Sequence, residues 1–309
     1  MMKKIFSLIL IFVFLSGCAA AQPVLPSNGT FYTFTDATGA QITLPEKPKK
    51  TAVLFSSFAQ IWTLCGGEIA VTVGESVERQ FADSDVLLVD AGAGKSINEE
   101  LLLAAQCDFV IGSADIPAQV QAIELLRRNG VNCALFSIES FEEYLAVLQI
   151  FSSVLENETA YEAYGTAVQA EINQIFENLP TKEHQPTILF IRSGASFSSA
   201  KAKTADSHFA AAMLRELGTY NIAEQAAVLT DSLSTEEILI QNPDYIFISA
   251  MGDEDASVAY MQSLLQTDAW QQLQAVQQGK VIFLPKDLFQ YKPNHRWAEA
   301  YRYLAEQIR

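Results

Sequence analysis

Three cations, Arg192, Lys201 and Lys203, crowd one short stretch of a 309-residue chain whose formal charge is −16. In so acidic a protein an anionic small molecule needs a local basic pocket, because the remaining surface repels it. Arg79, Lys95 and Lys292 offer further positive charge, and Phe58, Phe197 and Tyr291 offer aromatic surface for a large planar or greasy ligand. Lys201 and Lys203 also suit the plainer role of solvated loop charges.

Other chemistries are suggested by residue type and fail on spacing. Ala91-Gly92-Ala93-Gly94-Lys95-Ser96 ends like a phosphate-binding loop, but that pattern needs its first glycine at position 89, where Val89 stands. The glycines are read instead as a loop at a strand end. Asp206-Ser207-His208 has the residue types of a hydrolase triad, yet neighbouring side chains cannot converge; capping of the next helix is the expected role of Asp206 and Ser207. No G-x-S-x-G or H-E-x-x-H occurs. His184, His208 and His295 are scattered along the chain and give bare zinc or manganese little to bind; His208 and His295 stay open as haem-iron ligands. No catalytic residue and no resident metal or cofactor are expected.

The elements that would position these side chains alternate between strand and helix. A hairpin, Phe31 to Thr35 and Gln41 to Leu44, turns at Asp36-Ala37-Thr38-Gly39. Strands then fall at Thr51 to Phe55, Val71 to Gly74, Val86 to Val89, Phe109 to Gly112 and Cys133 to Phe136. Helices fall at Phe58 to Leu64, Asn98 to Gln106, Pro117 to Arg128 and Ser140 to Leu155. After Pro180 the cycle resumes with strands at Thr187 to Ile191, Tyr245 to Ile248 and Val281 to Leu284, and helices at Ser207 to Leu217, Thr235 to Gln241 and Arg296 to Arg309. Between the two runs, Tyr164, Val168, Ile172, Ile175 and Leu179 lie at helical spacing, with Asn157 as N-cap and Pro180 as stop.

The expectation is an α/β fold of two Rossmann-like lobes with mainly parallel sheets, residues 31–156 and 181–309, joined by one long helix over 157–180. A short repeat supports the division: Glu100 and Glu236 each open a helix, and Asp108 and Asp244 follow eight residues later, each before a β-rich run. Ligands of open α/β sheets bind beyond the carboxyl ends of the strands. That rule selects Ser57, Phe58, Arg79, Lys95 and Ser113 in the first lobe and Arg192, Phe197, Lys201, Met251, Tyr291 and Lys292 in the second as ligand-binding residues.

The N-terminus carries an export signal. Lys3 and Lys4 precede the apolar run Ile5 to Leu15, which is shorter than the roughly 20 residues that span a bilayer. Leu15-Ser16-Gly17-Cys18 then resembles the lipobox of bacterial lipoproteins. On that reading residues 1–17 are removed, Cys18 is diacylated, and 18–30, with Pro23, Pro26, Asn28 and Gly29, form a tether. An ordinary signal peptide with an incidental Cys18 is the alternative. The expected location is the extracytoplasmic face of the cell membrane, periplasmic in a double-membraned cell, with the lipid as the membrane contact. The negative charge excludes nucleic acid as a partner. Cys65, Cys107 and Cys133 are expected as buried free thiols, with one pairing left open.

From about Thr35 to its end the chain resembles the substrate-binding proteins of ABC importers that carry iron-siderophores, haem and cobalamin. The resemblance rests on Thr35-Asp36-Ala37-Thr38-Gly39 with Ile42-Thr43-Leu44-Pro45 and Pro48, on Gly130-Val131, on Met213-Leu214 with Gly218 and Asn221-Ile222-Ala223, and on Lys292-Pro293-Asn294 with Trp297 and Tyr301. It implies a ligand cleft between the lobes, a transported ferric siderophore, haem or cobalamin, and only slight closure about a stiff helix. It also implies that Glu100 and Glu236, to within one residue, meet arginines of a permease that works with a cytoplasmic ATPase; simple helix-dipole partnership is the alternative for both. The protein is expected to be a monomer and not an enzyme. A chelatase-like tetrapyrrole enzyme and a surface ligand sensor are the alternatives.

Overall fold

The computed structural model describes residues 29–90, 92–180 and 184–308. The leader, Cys18 and nearly all of the tether lie outside the described residues. The first element is the hairpin, Tyr32–Thr35 antiparallel to Gln41–Leu44. Asp36 in its turn accepts hydrogen bonds from the Thr38 and Ala40 N–H groups at 2.9 and 3.1 Å. Its second oxygen takes the Leu135 N–H at 3.1 Å and the Arg127 guanidinium. One buried carboxylate thus ties the hairpin to the first lobe.

That lobe has a five-stranded, wholly parallel sheet in the order Leu87–Leu88, Val71–Thr72, Thr51–Val53, Phe109–Ser113, Asn132–Phe136. Phe109–Ser113 is buried along its whole length, as a strand covered by helices on both faces must be. The second lobe sets Tyr220–Asn221, Thr187–Ser193, Tyr245–Ala250 and Val281–Phe283 in parallel, and Lys201–Ala202 pairs antiparallel with the end of Thr187–Ser193. The stretch from Arg192 to Lys203, read from sequence as a loop, is therefore partly strand. Its Arg192 and Lys201 are direct cross-strand partners.

The sequence repeat has a structural meaning. Asn98 and Ser234 cap the two matching helices, Glu99–Ala104 and Thr235–Gln241, by accepting from the Leu101 and Glu237 N–H groups. Asp108 accepts from the Lys49 and Lys50 N–H groups just before the strand Thr51–Val53, and Asp244 accepts from the Thr187 N–H at the start of Thr187–Ser193. In both lobes the Asp closes the entrance of the neighbouring strand.

Between the sheets runs a helix built from Glu158–Tyr161, a π turn at Glu162–Thr166, and Ala167–Glu177. Asn157 caps it, and Asn178 ends it one residue before the Leu179 at which the apolar pattern stops. The π turn is a departure from the uninterrupted helix expected. Here Gly165 lies against the helix Phe141–Val154, where a Cβ would come within 3.1 Å of Leu145 and Leu148. The Tyr144 hydroxyl donates to the Tyr164 carbonyl, inside the π turn, at 3.0 Å. The other flank packs on the closing helix Trp297–Gln307 through Phe176 and Tyr301, ring centroids 5.5 Å apart.

Two further expectations need correction. Asp206 and Ser207 do not cap the next helix, which is Phe209–Glu216: His208 does, accepting the Ala210 N–H at Nδ1. Ser207 instead closes a turn with the Thr204 N–H, and Asp206 pairs with Arg215 at 3.2 Å. Helices at Gly74–Glu78 and Glu254–Leu265 were not expected. In the longer one only Ser257 and Met261 are buried, so no apolar stripe announces it.

Candidate functional site

The carboxyl ends of both sheets open onto one cleft of about 420 Å³, within the roughly 300–1,000 Å³ typical of small-molecule sites. A larger concavity of about 650 Å³ lies within the first lobe, but its only charged lining groups are Glu68 and Asp83. The cleft joins cations with aromatic surface at the carboxyl ends of both sheets; a hollow beside it, lined by Arg79, Phe81, Lys286, Tyr291, Lys292 and Arg296, shares Lys286, Tyr291 and Lys292 with it.

Ser57, Phe58, Lys95, Ser113, Arg192, Met251, Tyr291 and Lys292, all selected from sequence, line it. Phe58 is only 1% exposed and packs on Phe55 and Phe136, so it is chiefly core. Arg79 sits beside the cleft, with Tyr291 and Lys292 in an adjoining hollow. Lys201 is exposed and does not reach the cleft lining, though its strand position sets it opposite Arg192. Like charges on facing strand positions disfavour folding. Phe197 lies in the short turn Phe197–Ser199, before Lys201.

Lys95 is delivered by the glycine loop. Gly94 adopts φ +73°, and a Cβ there would meet Gln119 Nε2 at 2.3 Å and the Leu54 carbonyl at 2.5 Å. Gln119, fully buried, donates to the Leu54 and Gly94 carbonyls at 2.7 and 3.1 Å and accepts the Ser113 N–H at 2.7 Å. The glycine therefore serves close packing of this loop on two strand ends.

Several lining residues lie outside the set selected from sequence: Phe55 at the end of the expected strand Thr51 to Phe55, Phe209 within the expected helix Ser207 to Leu217, and Lys286, to which the sequence assigns no role. His208, open from sequence as a haem-iron ligand, also lines the cleft. Glu139 follows the strand Asn132–Phe136, so the same strand-end rule could have found it. Lys292 Nζ lies 2.6 Å from Glu139 Oε1 and 4.7 Å from the Phe209 ring centre. Burial draws the Lys292 ammonium below its usual range, against the opposing pull of Glu139. Burial likewise lowers Arg192, which as an arginine stays cationic.

His208 is 7% exposed, with Phe190 and Phe209 rings at 4.7 and 4.9 Å. Burial, then Arg192, Lys292 and Lys203, hold its imidazole well below the usual range, so it is neutral. Because Nδ1 accepts the Ala210 N–H, the proton resides on Nε2, which makes the ring a donor rather than a free iron ligand or base. His295 faces Tyr164 at 5.8 Å and does not line the cleft. Among the described residues no three of His, Cys, Asp and Glu come together as a metal site.

One segment of the second lobe, Tyr291 to Asn294, reaches across to the first. The Arg79 guanidinium stacks 3.8 Å from the Tyr291 ring centre. Asn294, wholly buried at φ 52°, donates to the Ser57 carbonyl at 3.0 Å and to Gln60 Oε1 at 2.7 Å. Lys292, between these two anchors, lines the cleft together with Tyr291.

Comparison with solved structures finds the same fold at low identity. An ABC transporter substrate-binding protein from Listeria monocytogenes aligns over 85% of this chain and 98% of its own, at 16% identity and TM-score 0.68. Staphylococcus aureus IsdE, solved with heme, aligns over 83% and 98%, at 15% identity and TM-score 0.67. Staphylococcus aureus SirA, solved with staphyloferrin B, aligns over 90% and 97%, at 14% identity and TM-score 0.66. A search of curated proteins finds no match. The family model for periplasmic binding proteins matches residues 51–288, from the strand Thr51–Val53 of the first lobe to the edge of the cleft in the second, and the chain belongs to that family.

Proposed function

We propose that this protein is the substrate-binding component of an ABC importer, holding a metal chelate between its lobes: an acidic one, a ferric siderophore or haem, before a corrinoid. The observation that carries this reading is the grouping of Lys95, Arg192 and Lys292 with Tyr291 in one cleft of a chain whose overall charge is −16. Similar folds solved with heme and with staphyloferrin B are consistent with it. The cargo's iron or cobalt arrives inside its chelate, so the protein need supply charge and shape, not a set of metal ligands. An enzymatic role finds no support in His208, whose Nδ1 lone pair is engaged in capping.

Two further parts of the reading concern delivery. Cys18 would carry the lipid that keeps the protein at the outer face of the membrane. Glu100 and Glu236 are both exposed at the starts of their matching helices and would meet basic residues of the permease. Whole-cell uptake of a radioiron chelate tests both. Glu100→Lys with Glu236→Lys should lower uptake at least about tenfold while the purified variant binds ligand as the parent does. Cys18→Ser should release the protein from the membrane fraction. Uptake unchanged by the charge reversals, or membrane retention unchanged by Cys18→Ser, would remove the corresponding part.

A further inference from the structure

Glu139 stands where an anionic group of a ligand would stand. It belongs to the first lobe, directly after the strand Asn132–Phe136, and its carboxylate lies 2.6 Å from Lys292 of the second lobe. The two partners differ sharply in burial: the Lys292 side chain is 17% exposed and that of Glu139 53%. A half-exposed carboxylate regains water when released, so giving it up costs little. The buried ammonium cannot do the same, and leaving it unpaired is expensive. The pair is therefore stable until another anion reaches Lys292, and then Glu139 is the side that leaves. Its charge also acts on Arg192, so its departure leaves Lys292 free and Arg192 less neutralised.

Resting on the reading of the cleft as a chelate site, we propose that Glu139 is a built-in competitor: its carboxylate holds Lys292 until an acidic oxygen of the incoming chelate, carboxylate or catecholate, displaces it. This makes Glu139 a determinant of selectivity. A ligand without an acidic group would leave both Lys292 and Glu139 unpaired or find them still paired across its path. Tyr291 and Asn294 keep their own contacts with the first lobe on either side of Lys292, so the segment stays docked while one interlobe tie exchanges.

Glu139→Gln keeps the shape and removes the charge; Glu177→Gln, which neutralises an exposed acid on the helix Ala167–Glu177 outside the cleft lining, controls for net charge. Thermal melting of both variants verifies the fold. Acetic anhydride pulse labelling read by mass spectrometry needs no ligand, and Lys292 should label several-fold faster in Glu139→Gln than in the parent. Titration with ferric citrate should show Glu139→Gln binding about tenfold more tightly than the parent, Glu177→Gln changing little, and uncharged cyanocobalamin gaining nothing comparable. Unchanged labelling of Lys292, or a ferric citrate affinity in Glu139→Gln no higher than in Glu177→Gln, overturns the proposal. Failure of every chelate to bind the parent would instead count against the transport reading, and the ligand-free labelling tells the two failures apart.

Discussion

A double variant, Arg192→Gln with Lys292→Gln, should bind an acidic metal chelate at least about a hundredfold more weakly than the parent, since each lost charge-assisted hydrogen bond is worth roughly 1.5–3 kcal/mol. Both side chains line the cleft, and both are sufficiently buried that bulk water does not screen them fully. Raising the salt concentration should weaken the parent's binding more than the double variant's. Tyrosine and tryptophan fluorescence titration measures both effects. An affinity within about threefold of the parent would mean that the ligand is not anionic or lies elsewhere.

The second large effect concerns stability. Asp36→Ala should cost about 3–5 kcal/mol, the range found when one member of a buried ion pair is removed. The Asp36 side chain has no exposed surface and serves Thr38, Ala40, Leu135 and Arg127 together. Without it, the N–H of Leu135 loses an acceptor inside the lobe. Burial alone would raise the Asp36 pKa; the hydrogen bonds of Thr38, Leu135 and Arg127 outweigh it and hold the carboxyl below its usual value. A depressed carboxyl contributes stability that is fully present above the unfolded pKa of about 4 and is lost as pH falls through the lower folded value. Urea unfolding of the parent should therefore show a loss of stability below about pH 4 that is smaller in Asp36→Ala. Equal pH dependence in the two would contradict this account of the hairpin.

Much of the fold was legible because its signals are local. Pro117–Arg128 and Thr235–Gln241 have the boundaries that proline at the helix start, a capping Ser234 and apolar spacing indicate. The repeat around Glu100 and Glu236 was visible before its cause was, namely that Asp108 and Asp244 each bond the first N–H groups of a neighbouring strand. Elements without an apolar stripe were not legible: Glu254–Leu265 buries two residues, and the π turn at Glu162–Thr166 depends on Gly165 meeting Leu145 and Leu148 from a distant helix.

The site follows the same division. Parallel strands place ligands at their carboxyl ends, so Lys95, Ser113, Arg192, Met251, Tyr291 and Lys292 could be chosen without knowing which strands adjoin. Which charges pair across the cleft could not, because Glu139 and Lys292 are brought together only by the docking of one lobe on the other. His208 shows the opposite limit: its residue type suggests iron or base chemistry, whereas a single hydrogen bond from Ala210 commits it to a structural role.

The central claim, that the interlobe cleft holds an acidic metal chelate, is tested most directly by native mass spectrometry of the purified, unlipidated protein. Ferric siderophores, haem and cobalamin would be presented in turn beside zinc and manganese. One acidic chelate, a ferric siderophore or haem, should be retained at one molecule per chain with an affinity tighter than about micromolar, and its retention should be lost in the Arg192→Gln, Lys292→Gln variant. Retention of zinc, manganese or cobalamin with no acidic chelate bound, or chelate binding that survives loss of both cations, would contradict it.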